Sequence, residues 1–172
     1  MAGPVVAGAV ILVEPINGLK DSKKLSKLQR QKLAATVHLE AAAIGLGWAE
    51  PSEVDALGLT AGVRLAMQRA IEAINLSYDE IIIDGNYNFF PDNPKVRVLI
   101  RADDIIPAVS AASIVAKVAR DNYMQKQSLI YPDYAFEKHV GYGTKIHLER
   151  LQMYGPCRLH RRSCQPVKLM AK

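Results

Sequence analysis

The chain reads Ile-Ile-Ile-Asp-Gly at residues 81–85 and Val-Arg-Val-Leu-Ile-Arg-Ala-Asp-Asp at residues 96–104. Each segment is a short apolar run that ends in acidic or turn-forming residues, which is typical of a buried strand followed by a turn. Pro107 and an alanine-rich segment follow, and they predict a helix from about Pro107 to Gln127. Two strands therefore present acids at their carboxyl ends, where open α/β sheets usually bind ligands.

The acids that follow these strands, Asp84 and Asp103, are candidate metal ligands. Neighbouring carboxylates repel each other and resist burial unless a cation or a basic group pairs with them. Hard divalent cations prefer such oxygen ligands. The simpler alternative is that Asp84 only forms a turn and that Asp103 or Asp104 only caps the helix.

The same stretch resembles the ribonuclease HII family, through Ile-Ile-Asp-Gly-Asn, Arg-Ala-Asp and the alanine-rich segment that ends at Asp121. Further blocks resemble that family in the same order along the chain: Ala2-Gly3-Pro4-Val5-Val6-Ala7, Asp21-Ser22-Lys23-Lys24-Leu25, Tyr131-Pro132, Gly141-Tyr142-Gly143-Thr144, His147, Gly155-Pro156-Cys157 and His160-Arg161-Arg162-Ser163. Several blocks in order are far more specific than a single motif. The resemblance covers essentially the whole chain.

The resemblance implies a ribonuclease H-like α/β fold, in which helices flank a mixed sheet and a small helical part forms the carboxyl terminus. It implies a single domain over residues 1–172, with a core over about 1–130 and a substrate-binding part over about 131–172. The implied activity is cleavage of the RNA strand of RNA–DNA hybrids and of single ribonucleotides in duplex DNA. Two Mg²⁺ or Mn²⁺ ions would assist it, and the products would carry 5′-phosphate and 3′-hydroxyl ends.

Site residues also follow from the resemblance. The implied catalytic acids are Asp84, Asp103 and Asp121, of which the first two bind metal and Asp121 is an outer ligand. The implied nucleic-acid contacts are Lys23, Lys24, Tyr142, Arg161 and Arg162. Tyr142 would pack against the sugar at the RNA–DNA junction. From the residues alone, Asp121 could instead pair with Lys117, the two lysines could be solvated surface, and Tyr142 could be a buried structural residue.

One family feature is not found in the chain. The family begins with a strand that carries Asp-Glu-Ala-Gly-Arg-Gly, just before the block that starts here at Ala2. Two of the four metal-site carboxylates and the central strand of the sheet are therefore expected to be missing from residues 1–172. We expect this chain to be poorly folded or inactive as written. Two other interpretations stay open: a non-catalytic nucleic-acid-binding remnant, and another nuclease of the same fold, such as a junction resolvase.

Composition is consistent with a nucleic-acid partner. The chain has 172 residues and a net charge of +5. Residues 138–172 hold eight Lys or Arg and one acid, Glu149, whereas the rest holds 14 basic and 16 acidic groups. Such a basic edge fits phosphate binding, although a solvated basic tail is the alternative. Two cysteines indicate a reducing compartment, and the longest apolar run is too short to span a bilayer. We therefore expect a cytoplasmic protein that needs no membrane and no obligate protein partner.

The remaining elements are predicted from periodicity and capping residues. Residues 34–50 combine an alanine-rich start with a Gly-Leu-Gly-Trp segment, and we predict a strand there, guided by the family. The other predictions are a strand at 5–13, a helix that begins near Ser26, a helical turn after Pro51, a helix from Thr60 to about Asn75, and a helix from Thr144 to about Tyr154.

Overall fold

The computed structural model describes residues 1–19 and 25–170. They form two compact units. The terminal unit comprises Met1–Val6, Trp48–Val63 and the residues from Ala119 onward, and the sheet unit comprises Ala7–Gly47 and Arg64–Val118. The single-domain organisation stays a prediction. Within the described ranges, no helix is long and apolar enough to cross a membrane.

Strands are confined to residues 5–99 of the described chain, and the segments after them are helical or irregular. The strands are β1 (Val5–Ile11), β2 (Ala43–Ala49), β3 (Ile81–Asp84) and β4 (Val96–Leu99). The helices are α1 (Lys27–Glu40), α2 (Pro51–Leu57), α3 (Leu59–Glu72), α4 (Ala102–Ile105), α5 (Pro107–Ile130), α6 (Phe136–His139), α7 (Lys145–Tyr154) and α8 (Val167–Met170), with a 3₁₀ turn at Pro132–Tyr134.

Strands β1 to β4 form two separate pairs. Strand β1 is hydrogen-bonded to β2, and β3 is hydrogen-bonded to β4. The second pair is parallel and sets Asp84 opposite Leu99. Every residue of β1 is only half-buried although the strand is entirely apolar. Among the described residues, no strand is hydrogen-bonded between the two pairs.

The predicted strand over 34–50 is wrong in its first part and right in its second. Ser26 begins α1 with a capping box, because its side chain accepts from the Gln29 amide while the Gln29 side chain accepts from the Ser26 amide. The helix then continues to Glu40 and buries Ala34 and Val37 at helical spacing. Only residues 43–49 are extended, and there burial alternates with the period of two that a strand requires.

Strand β2 and helix α3 approach so closely that side chains are excluded between them. A Cβ added to Gly45 would lie 2.0 Å from the Ala70 carbonyl oxygen, and one added to Gly47 would lie 1.9 Å from that of Ala66. Ala66 and Ala70 are fully buried. Small residues of α3 thus form the contact with β2, whereas the larger Met67 is only half-buried.

Helix α5 supplies the core of the sheet unit. Ala111, Ile114 and Val115 are buried with Ala34 and Val37 of α1. A Cβ on Gly8 of β1 would lie 2.4 Å from the Ala112 carbonyl oxygen, so the small residues of α5 let the strand lie directly on the helix. The predicted helix start at Pro107 is confirmed, and the helix ends three residues beyond the predicted Gln127, at Ile130.

The terminal unit has its own core and its own helix caps. Its buried cluster consists of Ala2, Met124, Tyr134, Phe136 and Leu159. Thr144 caps α7 by accepting from the His147 amide, as predicted, and Gly155 ends that helix.

Candidate active site and nucleic-acid interface

Asp84 is held where the two parallel strands end. The residue is exposed, and its Oδ1 accepts a 2.9 Å hydrogen bond from the Ala102 amide. The Gly85 amide donates to the Leu99 carbonyl, which ties the ends of β3 and β4 together. Because Ala102 directly precedes Asp103, the carboxylate of Asp84 lies beside the backbone that carries the second acid.

The turn after β4 depends on Arg101, which adopts a left-handed conformation with φ of 58°. This conformation is uncommon for residues with a side chain, and it directs the chain straight from β4 into the short helix α4. Asp103 and Asp104 lie in the first turn of α4, whose N-cap is Arg101, so neither aspartate is the N-cap residue. The Asp104 carboxylate lies 3.5 Å from the Arg101 guanidinium, while Asp103 is half-buried.

The Asp84–Asp103 pair has the donor chemistry for a hard divalent ion. Mg²⁺ is commonly held by one or two carboxylates, with water and substrate phosphate as its other ligands. In the parts of the chain that are described, no group of three or more His, Cys, Asp or Glu side chains is arranged to hold a metal ion. Asp84 and Asp103 are therefore candidate ligands of a hydrated Mg²⁺ or Mn²⁺ that shares its shell with phosphate.

Asp121 lies on α5 within the terminal unit. Its side chain is 13% exposed and lies 3.9 Å from the Arg120 guanidinium. The role of Asp121 as an outer metal ligand stays a prediction.

Tyr142 lies in a tightly held loop, and the residue is 49% exposed. Its amide donates to the His139 carbonyl, and its own carbonyl accepts from the Thr144 amide. Gly141 has a φ of 84°, and a Cβ there would lie 2.4 Å from the Ala2 carbonyl oxygen. The loop therefore presents a half-exposed aromatic ring on a fixed backbone, an arrangement suited to stacking on a sugar or base.

Arg120 was not predicted as a site residue, yet it organises this loop. Its guanidinium donates to the carbonyls of Ala2, Pro4 and Val140 and lies 4.9 Å from the centroid of the Tyr142 ring. A cation over an aromatic face is attracted by the quadrupole of the ring. Its place beside Asp121 in the alanine-rich motif was the only sequence sign of its importance.

The two predicted carboxyl-terminal arginines have different environments. The Nε of Arg161 donates to the Gly3 carbonyl, and burial, together with the nearby charge of Arg120, lowers the pKa of the Arg161 guanidinium. The Arg162 side chain is exposed, and its backbone amide donates to the Asp55 carboxylate. Arg161 is thus built into the terminal unit, whereas Arg162 projects from its surface. Lys23 and Lys24 lie outside the described residues.

Asp55 clamps the segment that carries Arg162. Its carboxylate accepts from the amides of Arg162 and Ser163 and from the Ser163 hydroxyl. Burial alone would raise the pKa of Asp55, but the hydrogen bonds from Ser163 and Arg162 and the charge of Arg162 lower it overall. The ionised carboxylate is therefore the form that holds this segment.

Three buried histidines lie behind the Tyr142 loop: His139, His147 and His160. The rings of His139 and His147 are stacked with centroids 4.3 Å apart, and Nε2 of His147 lies 3.0 Å from Nε2 of His160. Burial is the main cause that lowers the pKa of both His147 and His160 to about 4. These two rings are therefore neutral at neutral pH. In the sequence, only His147 and His160 stood in motifs, and nothing local indicated that they pair.

Comparisons with known proteins show which family the chain resembles over its length. A family model described as Ribonuclease HII matches residues 1–167. The chain is 46% identical over 170 residues to Ribonuclease HII of Nitrosococcus oceani, and the match covers 98% of this chain and 84% of that protein.

Two solved structures are similar in fold. The ribonuclease H2 from Pyrococcus horikoshii OT3 superposes with a TM-score of 0.76 at 25% identity, over 98% of this chain and 90% of that one. Bst-RNase HIII in complex with Mn²⁺ superposes with a TM-score of 0.71 at 17% identity, over 97% and 64% of the respective chains. The predicted ribonuclease H-like α/β fold is therefore confirmed.

Proposed function

Because the chain belongs to the ribonuclease HII family, we propose that it is an endonuclease for the RNA strand of RNA–DNA hybrids and for single ribonucleotides in duplex DNA. Members of the family are nucleases that hydrolyse phosphodiester bonds, and the family match spans nearly the whole chain. The observation that carries the proposal for this chain is the exposed Asp84 carboxylate, hydrogen-bonded to the Ala102 amide beside Asp103. Cleavage would leave 5′-phosphate and 3′-hydroxyl ends.

Asp84 and Asp103 would hold Mg²⁺ or Mn²⁺, with Asp121 as an outer ligand of a two-metal site. Such ions, when bound, acidify a water for attack on phosphorus and stabilise the leaving oxygen. The chain itself orients the first carboxylate, since the Ala102 amide engages Oδ1 of Asp84. Asp103 lies in the first turn of α4, where a negative charge is favoured by the helix dipole.

Substrate binding is assigned to basic and aromatic groups: Tyr142, Arg161 and Arg162 of the terminal unit, together with Lys23 and Lys24. Arg162 is exposed and would contact phosphate, as would Lys23 and Lys24. The half-exposed ring of Tyr142 would pack on the sugar at the RNA–DNA junction. Arg161 would act mainly by holding the Gly3 backbone, because its Nε is engaged there.

A second candidate function has one observation in its favour. Among the described residues no cluster of three metal-binding side chains exists, so the ions would be loosely held. A chain with the basic edge intact but with incomplete metal ligation would bind hybrids without cutting them. Loose ions are also poorly oriented, and a displacement of about 1 Å can cost about 100-fold in rate.

The deciding experiment uses the 172-residue chain and a labelled DNA duplex with one embedded ribonucleotide, with Mg²⁺ or Mn²⁺ supplied. Cleavage at the ribonucleotide, absent from an all-DNA duplex of the same sequence, is the expected result for the nuclease. Salt-dependent binding without cleavage would support the non-catalytic binder. Cleavage that ignores the 2′-hydroxyl would contradict both, and so would the absence of both binding and cleavage.

A further inference from the structure

The hydrogen bonds around His147 and His160 determine which nitrogen of each ring carries the proton. The Cys157 amide donates to Nδ1 of His160 at 3.0 Å, so that nitrogen accepts and Nε2 of His160 carries the proton. This N–H faces Nε2 of His147 at 3.0 Å, which must therefore accept. The proton of His147 is then on Nδ1, which donates to the Tyr142 carbonyl at 2.8 Å. The two neutral rings thus form a continuous chain of hydrogen bonds from the Cys157 amide to the Tyr142 carbonyl, which we call the relay.

The relay ends at the backbone of an exposed aromatic residue. The Tyr142 carbonyl accepts from both His147 and the Thr144 amide, and the Tyr142 amide donates to the His139 carbonyl. The His139 ring, stacked on His147, accepts from the Gly141 amide at 3.2 Å. The amide and the carbonyl of Tyr142 are thus both engaged in hydrogen bonds, while its ring lies against the Arg120 guanidinium.

Packing alone does not require two histidines at these positions. His147 is 0% exposed and His160 is 2% exposed, and an apolar side chain would avoid the cost of burying their ring nitrogens. What an apolar side chain cannot supply is a directed N–H donor to the Tyr142 carbonyl. The neutral relay supplies that donor, and its position is fixed because each ring is held at both nitrogens.

We propose that His147 and His160 are positioning residues that hold the Tyr142 ring in the orientation needed to contact the nucleic acid. The inference rests on the proposed function, in which Tyr142 packs at the RNA–DNA junction. His147 acts directly on the Tyr142 carbonyl. His160 acts through His147, whose tautomer it sets.

Matched variants separate the donor from the volume of each ring. His147→Asn retains an N–H near the position of Nδ1, whereas His147→Leu retains only volume. His160→Gln retains an N–H near the position of Nε2, whereas His160→Leu does not. Thermal unfolding identifies the variants that stay folded. If the leucine variants do not fold, His147→Asn and His160→Gln are the variants that are tested.

The assay measures binding of the full chain to a fluorescent duplex with one embedded ribonucleotide, alone and combined with Tyr142→Ala. Loss of an aromatic stacking contact weakens binding by roughly tenfold. We expect His147→Leu to cause about half of that loss on a logarithmic scale, roughly threefold, and His147→Asn to restore most of it. The double variant Tyr142→Ala/His147→Leu should bind no more weakly than Tyr142→Ala alone, because His147 acts through Tyr142. Hydrogen exchange at the Thr144 amide should be faster in His147→Leu than in His147→Asn.

Two failures are distinguishable. If the losses from His147→Leu and Tyr142→Ala multiply in the double variant, His147 has only a structural role and the inference is wrong. The inference is also wrong if His147→Leu, or the His160 pair, leaves binding and Thr144 exchange unchanged. If Tyr142→Ala itself binds as tightly as the unaltered chain, or if the unaltered chain does not bind, the proposed role of Tyr142 at the nucleic acid is wrong.

Discussion

Asp84 offers a matched pair of substitutions that separates charge from structure. Asn at this position retains a carbonyl oxygen that can accept from the Ala102 amide, now 2.9 Å from Oδ1, whereas Ala removes the acceptor. Asp84 is exposed, so no buried charge is left behind in either variant. We expect Asp84→Asn to change the free energy of unfolding by less than about 0.5 kcal/mol, and Asp84→Ala to lower it by about 1 kcal/mol, the net value of one hydrogen bond.

The functional effect should be large in both variants. Asp84 supplies one of the two carboxylates of the candidate site, and substitution of groups that merely support metal ligands already costs about 10- to 100-fold. Loss of a ligand should therefore weaken Mn²⁺ binding, and any cleavage, by at least about 100-fold, which is about 2.7 kcal/mol. Electron paramagnetic resonance titration of Mn²⁺ measures the affinity independently of activity. Urea unfolding measures the stability.

Asp133→Asn is the control, because it removes the same charge from an exposed aspartate outside the candidate site. It should leave Mn²⁺ affinity unchanged. Unaltered Mn²⁺ affinity in Asp84→Asn would refute the assignment of Asp84 as a ligand. Equal destabilisation by Asn and Ala would show that the ionised carboxylate, rather than an acceptor, holds the Ala102 amide.

Three further predictions follow from the contacts. Gly45→Ala should lower the free energy of unfolding by about 1–3 kcal/mol, measured in urea, because its Cβ would lie 2.0 Å from the Ala70 carbonyl oxygen. Stability should fall as the pH is lowered from 6.5 to about 4, because the pKa of His147 and of His160 is about 4 in the folded chain and 6.5 in the unfolded chain. The unfolded chain therefore binds more protons in that window, and each histidine should contribute a loss on the order of 3 kcal/mol in thermal or urea unfolding. Arg162→Glu should weaken hybrid binding, measured by anisotropy, and reduce its logarithmic salt slope by about one.

Controls make each of these outcomes specific. Gly143→Ala meets only the flexible end of the Met1 side chain, so it should cost less than Gly45→Ala, and equal costs would contradict the close-packing argument. The double variant His147→Asn/His160→Gln should flatten the pH dependence, and an unchanged profile would assign it to other groups. Arg97→Glu changes the same charge at an exposed residue that pairs with Glu80, and an equal effect on binding would remove any special role for the Arg162 surface.

Local sequence determined those helix and strand ends that depend on interactions between residues only a few positions apart. Ser26 and Gln29 form the capping box that starts α1, and Thr144 caps α7, because both ends of each hydrogen bond lie within three residues. The apolar runs that end at Asp84 and before Asp103 likewise predicted β3 and β4. Blocks of family motif did more, since they predicted the fold and the site acids together.

Tertiary structure decided what local patterns leave ambiguous. Residues 34–40 suit either helix or strand, and they form helix because Ala34 and Val37 are buried against α5. Arg101 takes a left-handed conformation that only its position between β4 and α4 explains.

Local sequence patterns also did not predict the contacts that join distant segments. Asp55 clamps Arg162 from 107 residues away, Arg120 holds the Pro4 carbonyl from 116 residues away, and His147 pairs with His160 across the Gly155 turn. Hydrogen-bond partners far apart in sequence are chosen by the packing of whole elements, which no single segment encodes. Sequence therefore predicted which residues would carry the chemistry, and only the folded chain decided which of them are exposed and which are buried against their neighbours.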